Sequence, residues 1–131
     1  MSQENVEIVR AAIYALNTGG IDAALEDAAP DFEFDFSRSI GPTRGVFALE
    51  PMRELWDEFA GAWESFRQEV EEFIEVGDQV VTPTTLYVLG REGIEVEARA
   101  AWIWTFRDEK IARITFYQER QDALEAVGLS D

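Results

Sequence analysis

Between Ile94 and Arg107 the chain keeps a strict period of two. Val96, Ala98, Ala100, Trp102, Trp104 and Phe106 share one parity, and Glu95, Glu97, Arg99, Ala101, Ile103 and Thr105 share the other. A period of two held that long predicts a strand whose successive side chains point to opposite faces. The first parity is apolar and needs cover; the second is mixed. The following strand repeats the arrangement: Ala112, Ile114, Phe116 and Gln118 continue the covered, concave face, and Arg113, Thr115, Tyr117 and Glu119 the convex one. A sheet with one apolar face must be packed against a second layer.

The rest of the chain supplies that layer. Val6, Val9, Ile13 and Leu16 recur at helical spacing in a first helix, with Ser2 as cap and Asn17-Thr18-Gly19-Gly20 as stop. A second helix is expected from Ile21 to Ala29, ended by Pro30. Leu49, Met52, Leu55, Trp56, Phe59 and Trp63 mark a third, with Pro51 in its first turn. Between the second and third, Phe32, Glu33, Phe34, Asp35 and Phe36 alternate as a strand, followed by a loop with Gly41-Pro42 and Gly45. Strands are expected at Phe66–Val76, Val80–Leu89, Ile94–Arg107 and Lys110–Gln118, joined by short turns that make neighbours antiparallel. Pro83 marks an edge or a bulge. A short closing helix, Gln121–Val127, is capped by Gly128. The fold class is α+β: one domain over residues 1–131, ordered helix, helix, strand, helix, four-strand meander and short C-terminal helix, with helices on one face of a curved antiparallel sheet.

Composition narrows the chemistry. The chain has no cysteine and no histidine, which removes thiol catalysis, Ser-His-Asp machinery and ordinary zinc, copper or haem sites. Proton transfer is left to carboxylates, tyrosines and the single lysine, Lys110. Eleven basic residues stand against 27 acidic ones, a formal net charge of −16, which repels nucleic acid and anionic membranes. No apolar run reaches the roughly 20 residues of a membrane span, and the polar start Met1-Ser2-Gln3-Glu4-Asn5 lacks a signal-peptide core, so a cytoplasmic location is expected. No P-loop or dinucleotide fingerprint is present, so no cofactor is expected. Glu69, Glu71 and Glu75 share a strand face, but no metal-binding motif accompanies them, and they are read as a solvated acidic face rather than a calcium or magnesium site.

Five segments carry a resemblance. They are Glu4-Asn5-Val6 with Ala15-Leu16-Asn17-Thr18-Gly19; Pro30-Asp31-Phe32-Glu33; Trp104-Thr105-Phe106-Arg107-Asp108-Glu109-Lys110-Ile111; and Ala123-Leu124-Glu125-Ala126-Val127-Gly128-Leu129. In this order they resemble the SnoaL-like branch of the nuclear-transport-factor-2-like superfamily. The resemblance implies a cone-shaped curved sheet wrapped round the N-terminal helices, with a pocket between the concave face and the first helix. In related ketosteroid isomerases a tyrosine and two aspartates work in that pocket. Those positions fall here on Ala12, on Phe36 beside Asp35, and on Trp102, and the carboxylate of SnoaL-type polyketide cyclases falls at or near Phe116. The fold carries over; the family's usual catalytic groups do not.

Two functional readings follow. One is an acid–base enzyme of isomerase, cyclase, dehydratase or hydrolase type, acting on a small apolar molecule. Asp35 would be its catalytic proton carrier, with a pKa raised by aromatic surroundings. Against this, alternation turns Asp35 away from the phenylalanine face. The other is a non-catalytic ligand-binding or interaction module with a filled core. Either way, Phe36, Trp56, Trp102, Trp104 and Phe116 are expected to line the concave face and take a neutral, ring-containing molecule, with Gln118 and the indole N–H groups as polar anchors. Tyr14 reads as a partly exposed helix residue, and Arg38 and Arg44 as loop residues near the mouth. Tyr117, Ile103, Ala101 and Thr105 form an apolar convex centre through which a homodimer is expected.

Overall fold

The structure, a computed structural model, describes residues 2–18, 20–26, 28–38 and 44–129, without the side chains of Ser2, Gln3 and Ala60. The expected Ser2 cap, Gly19 and the Gly41-Pro42 loop therefore lie outside the described residues. Helix α1 (Ser2–Thr18) buries Val9, Ala12 and Ile13. Gly20 closes it at φ 94°, the left-handed region that glycine enters without strain, and its N–H bonds back to the Ala15 carbonyl at 2.9 Å. Helix α2 is a single turn, Ile21–Ala24, rather than the longer helix expected. Ile21, Ala24 and Leu25 are already buried by that turn. Helix α3 (Leu49–Ala62) holds Pro51 in its first turn, where a missing N–H costs nothing. It stops one residue before Trp63, which opens a strand instead of ending the helix.

Among the described residues seven strands form one mixed sheet. They are β1 (Glu33–Asp35), β2 (Val46–Ala48), β3 (Trp63–Val70), β4 (Ile74–Val76), β5 (Gln79–Gly90), β6 (Glu95–Arg107) and β7 (Lys110–Tyr117). The order is β2-β1-β7-β6-β5-β3, with β4 also on β5. The meander from β3 to β7 is antiparallel as expected, but β1 lies parallel to β7, Phe34 beside Ile114. A parallel neighbour needs a long connection, and the whole chain between them provides it. Strand β2 was not anticipated; it pairs β1 where a loop was expected.

The expected strand Phe66–Val76 is broken into β3 and β4. Both pair β5, which meets β4 up to Val81 and β3 from Thr84. Pro83 sits between the two partners, and its carbonyl takes the Glu71 N–H at 2.8 Å. A proline has no N–H for the ladder, so the partner strand changes there.

Strand β6 has 13 residues. Fully extended it would span about 43 Å, while a folded chain of this length has a radius of gyration of roughly 14 Å. The sheet therefore curves, and its concave side faces α1–α3. The main core lies there, around Val9, Phe32, Val80, Trp104, Phe106 and Ile114. Helix α4 (Arg120–Ala126) packs on the opposite face, a correction to the expectation of helices on one side only. Its Ala123 and Leu124 cover Val81, Ala101, Ile103 and Tyr117 in a second small core. Gly128, at φ 85°, ends it as expected.

Candidate functional site

Strand parity brings the concave face together row by row. Trp102 lies between Thr82 and Phe116 across the sheet, and Trp104 between Val80 and Ile114. Phe34 extends the second row onto β1. Above them α3 presents Met52, Leu55, Trp56 and Phe59 at three- and four-residue spacing, and α1 contributes Leu16. These layers leave a cavity of about 240 Å³. Phe66 and Gln68 of β3, Leu86 of β5 and Phe36 add to its lining, and among the described residues Gln68 is the only polar residue type in it.

The aromatic rings form two groups. Phe36 stacks on Phe34 at 5.7 Å and meets Trp102 edge-on at 6.1 Å, while Trp102 and Phe116 pack at 5.2 Å. On the side of α3 and β3, Trp56 and Phe59 each meet Phe66 edge-on at 5.4 Å. Such offset and edge contacts hold rings in fixed orientations.

Polar groups are few and unequal. The indole N–H of Trp104 donates to the Thr82 hydroxyl at 3.0 Å, and Thr84 donates to the Thr82 carbonyl at 2.8 Å. Trp102 differs: its Nε1 is buried and has no hydrogen-bond partner. The Oε1 atom of Gln68 is in the same condition, with that residue only 5% exposed. The Gln68 backbone is held firmly. Asn17 Nδ2 donates to its carbonyl at 3.1 Å, and its N–H donates to Asn17 Oδ1 at 3.0 Å.

Phe36, Trp56, Trp102, Trp104 and Phe116 all border the cavity. Gln118 does not. Strand β7 ends at Tyr117, the chain turns toward α4, and the Gln118 amide donates to the Arg99 carbonyl at 2.9 Å. Alternation stops applying where the strand stops.

Asp35 also lies elsewhere, on the convex side of β1. Its Oδ2 pairs with Arg113 Nη1 at 2.7 Å, and its Oδ1 accepts from the Ser37 hydroxyl at 2.6 Å and N–H at 2.9 Å. Arg113 reaches Glu33 with its other nitrogen at 2.8 Å. Partial burial pushes the Asp35 carboxyl upward, but the Ser37 donors and the guanidinium groups of Arg113 and Arg38 outweigh it and hold the carboxyl below its ordinary value. The expected upward shift is thus reversed.

Tyr14 is 71% exposed. Arg38 lies over the Tyr117 ring at 5.4 Å on the convex side rather than at the cavity mouth. Ala101, Ile103 and Tyr117, expected to be an open dimer face, are buried under α4. Glu69 pairs with Arg67, Glu71 with Arg99, and Glu72 with Arg120. No cluster of acidic residues arranged for a metal ion occurs among the described residues.

Gln68 was missed in the sequence. Its signal was available: Phe66, Gln68 and Val70 share one parity, so a polar residue stands on an apolar face. Asn17 was read only as a helix stop, since its partner is 51 residues away.

Comparison with known proteins gives the fold a context. TerC co-crystallized with polyporic acid superposes with a TM-score of 0.77 at 24% identity, covering 95% of this chain and 97% of that one. A protein of ketosteroid isomerase-like fold from Catenulispora acidiphila DSM 44928, in complex with trimethylamine, gives 0.71 at 19%, covering 94% and 93%. An LEH-like epoxide hydrolase from M. tuberculosis gives 0.72 at 16%, covering 96% and 90%. These are likenesses of fold. No curated protein matches the chain. Residues 9–114 match the model of the SnoaL-like domain, and the chain belongs to that family.

Proposed function

We propose that the chain binds a small, neutral, ring-containing molecule in the cavity between α1, α3 and the concave sheet face. One observation carries the reading: a cavity of about 240 Å³ whose lining is apolar or aromatic except for Gln68. An apolar ring entering it gains about 25 cal/mol per Å² removed from water, whereas an uncompensated charge loses several kcal/mol. Among the described residues the lining offers no carboxylate, phenol or amine, and Asp35 is bonded to Arg113 on the other face. We therefore favour a binding role over acid–base chemistry by Asp35. TerC with polyporic acid and the Catenulispora protein with trimethylamine support small-molecule binding on this fold by analogy.

The test is a titration with tetralin, followed by tryptophan fluorescence and melting temperature. Binding at the cavity should change the emission of Trp56 and Trp102 and raise the melting temperature by mass action. A protein that responds by neither measure to tetralin or its oxygenated derivatives would refute the reading.

The cytoplasmic, homodimeric state belongs to the same proposal. No described helix is long and apolar enough to cross a membrane. With Ala101, Ile103 and Tyr117 covered by α4, the contact moves to the open part of the convex face. There Arg67 lies over the Tyr87 ring at 4.4 Å and Glu97 and Arg99 are exposed. At −16 per chain, association should strengthen with salt as repulsion is screened. Light scattering that finds only monomer at low and high salt would remove the dimer.

A further inference from the structure

We propose that the outer border of β6, from Glu95 to Arg99, accepts an extended peptide segment as an added strand, and that the segment it fits alternates basic and apolar residues. The surface lies outside the cavity and does not depend on what the cavity binds.

The open border follows from unequal strand lengths. Strand β6 has 13 residues and β7 has eight, and the last pair between them is Ala101 with Tyr117. The chain then turns into α4. From Ala100 back to Glu95, β6 is paired with β5 on one side, and among the described residues no strand lies on the other.

The backbone groups there face outward. In a strand the N–H and C=O of one residue point to the same side, and successive residues alternate. Two bonds fix the phase. The Ile94 carbonyl accepts the Gly90 N–H at 2.6 Å, so residues of its parity face β5. The Arg99 carbonyl accepts the Gln118 side-chain amide at 2.9 Å, on the side of β7. Glu95 and Glu97 share the parity of Arg99. Their N–H and C=O groups, together with the Arg99 N–H, therefore form an outward row of the kind that recruits a further strand. These groups point in the plane of the sheet, so a contact on the convex face leaves them open.

The side chains choose the occupant. On the concave parity Ile94 and Val96 are 61% and 39% exposed, and Ala98 is half-buried. On the convex parity Glu95 and Glu97 are exposed, and among the described residues neither has an ion-pair partner. Arg99 is the one cation in that row, and it leans toward Glu71 at 4.0 Å. A strand laid along the border sets its side chains alternately on the two faces. Apolar residues then meet Val96 and its neighbours, and basic residues meet the two glutamates across the strand pair. A second copy of this chain fits poorly, because a two-fold pairing centred on the border sets Glu97 against itself and brings together two chains of net charge −16.

The probe is a fluorescein-labelled peptide of three alternating lysine-valine pairs, titrated into the intact protein at near-physiological salt, where long-range attraction is screened. Binding is followed by anisotropy, and its place by hydrogen exchange. The peptide should bind and slow exchange at the N–H groups of Glu95 and Glu97. In an antiparallel pair, directly opposed residues exchange both backbone bonds and share a face, so the lysine N–H groups point at β6 and the valine N–H groups point away. N-methylation of the lysines should weaken binding roughly tenfold or more, while N-methylation of the valines should leave it nearly unchanged. The double variant Glu95→Gln with Glu97→Gln should weaken the unmethylated peptide roughly fivefold. Should that variant fold poorly, the methylated peptides on the natural protein still decide. Equal binding of both methylated peptides would overturn strand addition in favour of simple charge attraction, and absence of binding would overturn it outright. Slow exchange at Glu95 and Glu97 in the protein alone, growing with its concentration, would give the border to a second copy and overturn the peptide.

Discussion

The two faces of β6 and β7 treat polar atoms differently. On the convex face Arg113 holds both Glu33 and Asp35, Arg99 pairs with Glu71, and the apolar remainder is covered by α4. On the concave face Trp102 and, across the sheet, Gln68 keep buried polar atoms without partners beside an open cavity. The strands are the same and residues alternate between the faces, so local propensity does not produce the difference. It arises from what each face meets. The outer face meets water, counter-charges and one short helix; the inner face meets the aliphatic and aromatic side chains of α1 and α3. Paired charge sits where water and counter-charges reach it, whereas the concave face is closed over by rings and aliphatic side chains.

The largest expected effect tests the depth of the concave face. Trp104 is 2% exposed and bonded to Thr82. Trp104→Ala should cost about 3–5 kcal/mol in chemical denaturation. Trp102 is only partly buried, so Trp102→Ala should cost less, on the order of 1–2 kcal/mol, and change ligand preference instead. Equal losses would mean that the two tryptophans fill one solid core, and the contrast between faces would collapse.

Asp35→Asn probes the opposite side. It should leave tetralin affinity unchanged, because the carboxylate lies on the convex face. Its stability cost at neutral pH should be about 1 kcal/mol, as for a partly exposed ion pair. The pH dependence follows from the lowered carboxyl. A folded-state value below the unfolded one, about 3.9, contributes stability above that pH and loses it as the pH falls through the folded value. The difference between natural protein and variant should therefore close below about pH 4. A difference that persists in acid would assign Asp35 another role, and altered ligand binding would bring it back to the cavity.

The smallest effect serves as a control for both faces. Asp108 and Glu109 occupy the hairpin between β6 and β7 at φ 53° and 65°, the geometry of a two-residue turn with both residues left-handed. Glu109→Gly should relieve that strain and raise stability by roughly 0.5–1 kcal/mol without altering binding. A change in affinity would show that the two strands transmit turn geometry to the cavity.

Much of this arrangement was legible in the residues. The parity of β6 located Trp102 and Trp104 on the inner face, and helical spacing set Trp56 above them. Partners distant in sequence were not legible. Arg113 meets Asp35 across 78 residues and reverses the direction in which its carboxyl shifts. Nothing local announces that β1 runs parallel to β7, or that α4 folds back over Ala101 and Ile103. Pro83 announced an irregularity, and its consequence was a break in the strand opposite. Gln118 illustrates the limit of parity, which holds only while the strand continues, and Gln68 carries its signal in parity alone, as a polar residue between Phe66 and Val70 on an apolar face.

The contact between Asn17 and Gln68 has a consequence beyond the cavity. Strand β3 ends the sheet order, and its outward N–H and C=O groups are the kind that recruit a foreign strand. At Gln68 both are taken by one side-chain amide, which has the donor and acceptor of a peptide group and occupies the place of the next strand. The first helix thereby leaves no free backbone pair for a foreign strand at that point, and the same residue that steadies the cavity wall also caps the sheet edge there.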